Sequence, residues 1–472
     1  MSFFKKKFTS SPATDFFRDR VTFYETCLGS LADIAQPTIS PDGKREAYLV
    51  KHGDKWSVAV DGKEGRLYEG IGAGSLTFSP DGTRIAYAAE RSGKWLMVVD
   101  GVESQPSGGI GPIVFSPDSG QIAFSEKVGD RVRLVLDGRA GQEYQGVDSI
   151  GFLDQTTTGR RWQPAYIAKR GTKFFLVRGT EEGKEYERIG SLTANPYTGD
   201  YYKKTGIRNL VFSPDNRHVG FCACPARHGG TWHVVRDGFE VASYPDIGEG
   251  LLTFAADTGK LAYVAVRTDG KWVVLSDDEE CGVYDTVAYL GFTPKGKHLV
   301  WTAKTDNGWV VFRDGVKGRK FEELDSETIS PSGEHLAYRA KCAGKWLVVF
   351  EETECKAYEG IGEGSLIFTG DSQHIAYVAG ERGKFLVVID TTESERYDGL
   401  QAGSLIASPD GRFVAYQVTR HGQSVICVNK QESLAYGGFL RDRKAIYCGD
   451  NTFHAIALRE GRIFRVDVRP EA

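Results

Sequence analysis

The sequence predicts an all-β fold: a β-propeller of about eleven four-stranded blades, the last blade closed by an N-terminal strand. Three observations carry that expectation. One turn position recurs along almost the whole chain, at Asp42, Asp81, Asp118, Asp154, Asp215, Asp257, Lys295, Ser332, Asp371, Asp410 and Asp450. Successive positions lie 36–42 residues apart except for one interval of 61, which marks an insertion. The last unit lacks a fourth strand, whereas a spare strand precedes the first unit.

Within a unit, strand a ends in Ser-Pro-Asp-Gly, as at Ser79, Pro80, Asp81 and Gly82. Proline presets φ at the second turn position, and Asp and Gly suit the positions that follow. Strand b is the Ile-Ala-Tyr run, here Ile85, Ala86 and Tyr87. Strand c, Trp95 to Val99, is apolar without alternation, the mark of a strand covered on both faces. An Asp-Gly pair, Asp100 and Gly101, then predicts a tight hairpin into strand d. A helical solenoid would show a 3.6-residue period instead.

The ends predict closure. After strands a, b and c of the last unit the chain stops, and residues 21–26, VTFYET, stand ahead of the first strand a. Tyr24-Glu25 aligns with Tyr68-Glu69 and Tyr358-Glu359, so residues 21–26 are expected to supply the missing strand d. The organisation is thus a polar tail over 1–20 and a repeat array over 21–472, with an insertion at about 186–208. The single closure and even spacing favour one large ring; two adjoining propellers are the alternative.

Composition narrows the function classes. A formal net charge of −4 supplies no broad field for nucleic acid, and Lys5, Lys6 and Lys7 form the one dense basic run. No apolar segment approaches the ~20 residues needed to span a bilayer, and no signal-like h-region follows the N-terminal lysines. The eight cysteines do not recur at one repeat position, which favours reduced thiols in a cytoplasmic setting.

The SPDG-x-x-IAY pattern resembles the WD40-like PD40 repeat of TolB-type propellers and of the propellers of prolyl-oligopeptidase-type peptidases. It is clearest at Ser40–Gly43, Ser79–Gly82, Ser213–Asp215 and Ser408–Gly411. The resemblance covers about Pro37 to Val468 and implies a propeller. It does not imply an activity, because such folds host unrelated functions.

Four features are candidates for chemistry. Lys-aromatic pairs open strand c at Lys55-Trp56, Lys94-Trp95, Lys173-Phe174, Lys271-Trp272, Lys345-Trp346 and Lys384-Phe385; their recurrence points to packing between blades. Gly-rich segments at 70–74, 109–111, 247–250 and 360–364 read as loops from strand d to strand a. Cys222, Cys224, His228 and His233, with His218 nearby, hold the donor types of a zinc or softer-metal site. The insertion carries Tyr197, Tyr201, Tyr202, Lys203, Lys204 and Arg208; aromatic and basic groups that break a repeat suit a binding surface.

No G-x-S-x-G elbow, HExxH, Walker A or CxxCH motif occurs. The expected function is therefore a non-enzymatic scaffold for a protein or peptide, with no cofactor, nucleic acid or membrane partner. The alternative is ligand binding at the channel mouth, or a hydrolase- or lyase-type enzyme there acting on a glycan or small molecule.

Overall fold

The computed structural model describes residues 19–155, 162–189, 210–226, 229–277, 279–306, 308–439, 447–449 and 451–471. These form eleven antiparallel sheets of strand order a-b-c-d, with no helix among them: an eleven-bladed, all-β propeller. In chain order the blades occupy 34–64, 70–103, 109–144, 146–182, 188–244, 246–284, 286–321, 323–354, 360–393, 399–432 and 438–470. They are numbered 1 to 11 below. The chain forms two compact units, Met1–Ile85 with Phe321–Ala472, and Ala86–Lys320; the first cut falls inside strand b of blade 2.

Each turn does more than reverse the chain. In blade 1, Ser40 Oγ is buried, donates to Asp42 at 2.6 Å and accepts the Arg45 N–H at 2.9 Å. Gly43 follows at φ 74°, where a Cβ would stand 2.2 Å from His454. The hairpin Asp between strands c and d has φ near 50° in blade after blade, and its carboxylate caps strand b. Asp237 Oδ1, for example, accepts the Val219 N–H at 2.9 Å while Oδ2 meets His218 Nδ1 at 2.7 Å.

Strand b is buried on both faces: all of Ile85–Ala89 is buried, as is Leu96–Val98 of strand c. The core accordingly lies between sheets. In the first unit, Ala376, Val378, Val387 and Ile389 of blade 9 pack against Val414, Tyr416, Val418 and Cys427 of blade 10. In the second, Val264 and Val274 of blade 6 meet Trp301, Val310 and Phe312 of blade 7. Small residues on one blade receive large ones from the next, which is how close packing is reached without voids.

The N-terminal strand completes blade 11. It runs from Val21 to Ser30, longer than residues 21–26, and pairs antiparallel with Arg462–Pro470. Among the described residues no second pairing joins segments so distant in sequence. The alignment of Tyr24-Glu25 with Tyr68-Glu69 does not hold. Glu25 faces Val466 as Glu64 faces Ala59, so Glu25 takes the place of Glu64. Gly29, opposite Ile463, stands where Tyr68 stands opposite Trp56. Tyr24, opposite Asp467 at the place of Lys63, is 49% exposed, whereas Tyr68 is 2% exposed.

That register builds a contact shared with other blades. Glu25 accepts the Tyr436 hydroxyl of blade 10 and both Arg459 terminal nitrogens, at 3.0 and 2.7 Å. Glu182 likewise accepts Tyr144 from the preceding blade at 3.0 Å and Arg170 at 2.7 Å, and Glu393 accepts Tyr358 at 2.9 Å. Burial opposes ionisation of Glu25, but the hydrogen bonds from Arg459 and Tyr436 hold its pKa below the ordinary carboxylate value.

The Gly-rich segments are not loops between strands d and a. Gly360–Ile361 is the first half of strand a in blade 9, paired with Gly380 and Ala379, and Ile367–Phe368 is the second half. The turn between the halves closes with a Ser365 N–H to Gly362 carbonyl bond and passes through Gly364 at φ 66°. Blades 1, 4 and 8 turn at the same place through Gln36, Ser149 and Ser326, at φ 48°, 54° and 56°. Strand a is interrupted at its middle as a rule of the repeat.

Candidate functional site: the interrupted strand of blade 5

Blade 5 interrupts strand a with much more chain. Arg188–Ile189 pairs with Cys224 and Ala223, and Val211–Phe212 pairs with Gly220 and Val219. The insertion therefore lies inside strand a, between Ile189 and Leu210, and not between strands d and a over 186–208. Tyr186, which bridges Phe174, belongs to the repeat, as do Arg188 and Ile189. Tyr197, Tyr201, Tyr202, Lys203, Lys204 and Arg208 lie outside the described residues, and so does His228.

The exit from the sheet is clamped. Arg188 donates from Nε to the Ala226 carbonyl at 3.1 Å and from its terminal nitrogen to the Gly229 carbonyl at 2.7 Å. The same nitrogen lies 3.2 Å from Cys224 Sγ, and the guanidinium stacks 4.7 Å from the Trp232 ring. A planar cation with several donors can satisfy turn carbonyls and cover an aromatic face at once. On the return side, Phe212 fills the space left by Gly151 of blade 4, where a Cβ would come within 2.4 Å of its ring. Both ends of the insertion are thus held by packed side chains.

Among the described residues, register separates the candidate metal ligands. Cys222 and Cys224 share a face, but His233 is directly opposite Ala223, so its side chain projects from the other face. The two thiols join the core against blade 6, while His233 faces Glu240 at 3.8 Å. Burial, with a smaller effect from Asp246, pushes the Cys222 thiol up to about 12, away from the thiolate a metal needs. His218 is engaged by Asp237 and stacks on Phe254 at 6.1 Å. Among the described residues no three His, Cys, Asp or Glu side chains could hold a metal ion.

Of the Lys-aromatic pairs, Phe174, Trp272 and Trp346 pack against clusters shared by two blades. Trp56, Phe174, Trp346 and Phe385 each bridge the strand-d tyrosine of their own blade. Strand-b cations cover three of these rings, with Lys51 5.7 Å from Trp56, Lys169 5.6 Å from Phe174 and Arg339 4.2 Å from Trp346, whereas Phe385 is 41% exposed. The lysine of the pair is not always free in solvent, since Lys271 binds Asp285 at 2.6 Å.

The residue missed from sequence is Arg188. A signal existed: Tyr186-Glu187-Arg188-Ile189-Gly190 matches Tyr68-Glu69-Gly70-Ile71-Gly72, which places Arg188 inside the repeat at a position held by Gly in blades 2, 3, 4, 9, 10 and 11.

No protein-family model matches the chain, and no curated protein matches it. Among solved structures it is similar in fold to one described as the eukaryotic initiation factor, at 11% identity over 84% of this chain and 94% of that one, TM-score 0.44. It is also similar to the Dos1 propeller, at 12% identity over 71% and 95%, TM-score 0.31. A third is dihydro-heme d1 dehydrogenase NirN in complex with DHE, at 15% identity over 83% and 80%, TM-score 0.32.

Proposed function

We propose that this protein is a non-enzymatic scaffold that docks a protein or peptide through the insertion of blade 5. One observation carries the reading: strand a leaves the sheet at Ile189, re-enters at Val211, and is clamped at its exit by Arg188. A segment presented from a rigid base loses less freedom on binding than one on a free tail. Tyr197, Tyr201, Tyr202, Lys203, Lys204 and Arg208 supply the aromatic and cationic groups that dominate binding energy at interfaces. The SPDG-x-x-IAY pattern supports reading the repeat as WD40-like, of the PD40 kind. Eight unpaired cysteines support a cytoplasmic setting.

The test replaces residues 190–209 with the short turn of blade 9. Proteins cross-linked to the intact chain are compared with those cross-linked to the shortened one. Loss of a specific partner with unchanged thermal stability is expected; an unchanged set of partners refutes the proposal.

A further inference from the structure

The face that blade 11 turns toward blade 1 breaks the repeat in charge. Toward blade 10 it is apolar: Phe453, Ala455, Val466 and Val468 join one cluster with Phe413, Ala415, Ile426 and Val428. Toward blade 1 it carries His454, Arg465 and Asp467, with His454 opposite Asp467 and Arg465 opposite Ile456 in the ladder of strands b and c. These three are 5%, 8% and 8% exposed. Blade 1 meets them with Glu46, the first residue of its strand b. At the seam between blades 9 and 10 the same four places hold Ala376, Val387, Ile389 and Val414, all in one apolar cluster. In the other ten blades the place of Arg465 is always Val, Leu, Ile or Met, and that of His454 is always Ala, Gly or Val. The place of Glu46 is likewise always apolar, with Pro164 in blade 4. The four charged groups satisfy one another. Asp467 Oδ1 lies 2.7 Å from His454 Nδ1 and accepts from Arg465 Nε at 2.8 Å. The terminal nitrogens of Arg465 donate to Glu46 and, at 2.6 Å, to the Gly43 carbonyl, both in blade 1.

We infer that this network is a closure interlock: it selects blade 1 as the mate for the free face of blade 11, and so fixes how many blades close. The device is independent of the blade 5 insertion. Repeats with near-identical faces stack in more than one way and misassemble by the same contacts that fold them. Were closure to fall one blade short, Glu46 would lie against Ala415, Ile426 and Val428 of blade 10, which offer it no cation. A buried ion pair contributes little beyond apolar side chains of similar volume, but a charge buried without its partner is strongly destabilising. The penalty therefore falls on the wrong closure and spares the right one, the use for which buried polar groups are best attested. Stability alone does not call for the network, since the other seams hold with apolar residues at the same places. The rest of this seam is apolar too, with Ile456 and Ile463 of blade 11 packed against Ile39 and Tyr48 of blade 1.

The test writes the repeat back into the seam with Glu46→Val, His454→Ala, Arg465→Val and Asp467→Ile, the residues of blades 9 and 10. The native chain and the fourfold variant are unfolded in guanidinium chloride, refolded by dilution and digested briefly with a protease, and the cuts are mapped by mass spectrometry. The denaturant midpoint of the variant is expected to equal or exceed that of the native chain, because no charge is left buried alone. The fraction of refolded chains cut inside blade 1 at 46–60 or blade 11 at 452–470 is expected to rise at least about tenfold, since a blade left out of closure is open to the protease. Cuts inside blade 9 at 375–389 should stay at the native level, which separates misclosure from general loosening. Three results overturn the inference. A lowered midpoint would show that the network simply stabilises the seam. An unchanged cutting pattern would show that closure is selected elsewhere, and an equal rise in blade 9 would show that the variant is loosened throughout.

Discussion

Arg339 offers a sharp test of how the blades are held. It is 9% exposed, in the middle of strand b of blade 8. Its Nε donates to Asp325 Oδ1 at 2.6 Å, a terminal nitrogen donates to the other Asp325 oxygen, and the second terminal nitrogen donates to the Ile361 carbonyl of blade 9 at 2.6 Å. The guanidinium therefore ties the turn in strand a of its own blade to strand a of the next. Breaking a buried ion pair by removing one partner costs about 3–5 kcal/mol. The two partners are not equivalent, since the Asp325 side chain is 27% exposed and the Arg339 side chain 10%. In Arg339→Met the carboxylate can partly rehydrate and the stem still covers Trp346, so we expect the lower end, about 3 kcal/mol. In Asp325→Ala the more buried cation is left unpaired, and we expect the upper end, about 5 kcal/mol. Replacing both partners with apolar side chains, Arg339→Met with Asp325→Leu, should recover most of the loss, because neither charge then remains buried. Guanidinium chloride unfolding followed by tryptophan fluorescence reads all three, and Trp346 stacks on the residue in question. A loss below about 1 kcal/mol in Arg339→Met, or a milder effect in Asp325→Ala than in Arg339→Met, would refute the reasoning.

Two further predictions concern closure and pH. Arg465, buried between blades 11 and 1, donates to Asp467 at 2.8 Å, to the Gly43 carbonyl at 2.6 Å and to Glu46; Arg465→Met should lower stability by about 3–5 kcal/mol and expose the 19–30 segment to limited proteolysis. Burial opposes ionisation of Asp467, but hydrogen bonds from His454 and Arg465 hold its pKa below 3.8, so its contribution is present above that value and is lost as pH falls through the depressed pKa. His374 is raised above 6.5 by its hydrogen bond to Asp390, with burial opposing. The stability difference between the native chain and His374→Asn should therefore be full below pH 6.5 and shrink as pH rises through the higher folded pKa, as measured by denaturant midpoints from pH 5 to 9.

The fold was legible because its determinants are local and repeated. Ser79, Asp81 and Gly82 specify a turn through bonds that span five residues, and Asp100-Gly101 specifies a hairpin through backbone conformation alone. Eleven copies let each weak signal be read against the others. What stayed hidden depends on register. Residues 21–26 were identifiable as part of the closing strand, yet matching Tyr24-Glu25 by letters put them out of register, because the place of Glu25 is set by its partner Val466 and by a tyrosine of the preceding blade. The same limit governs the cysteines: Cys222, Cys224 and His233 are close in sequence and chemically suited to a metal, but a single pairing, Ala223 opposite His233, sends the imidazole to the far face.

Two departures from the repeat, at Arg188 and Lys317, follow one logic. In an array whose positions are dictated by packing, a residue that departs from the type most blades share without destabilising the fold is free to serve something else. Arg188 stands where six other blades have glycine, and it spends its donors on a turn at the exit of a long insertion. Lys317 stands at a glutamate position and forgoes the contact by which neighbouring blades are joined. Restoring the repeat separates the two roles. Lys317→Glu should leave stability unchanged or raise it by about 0.5 kcal/mol through a surface ion pair, whereas Arg188→Gly should loosen the base of the insertion and weaken partner binding. A destabilised Lys317→Glu would show that the lysine is structural.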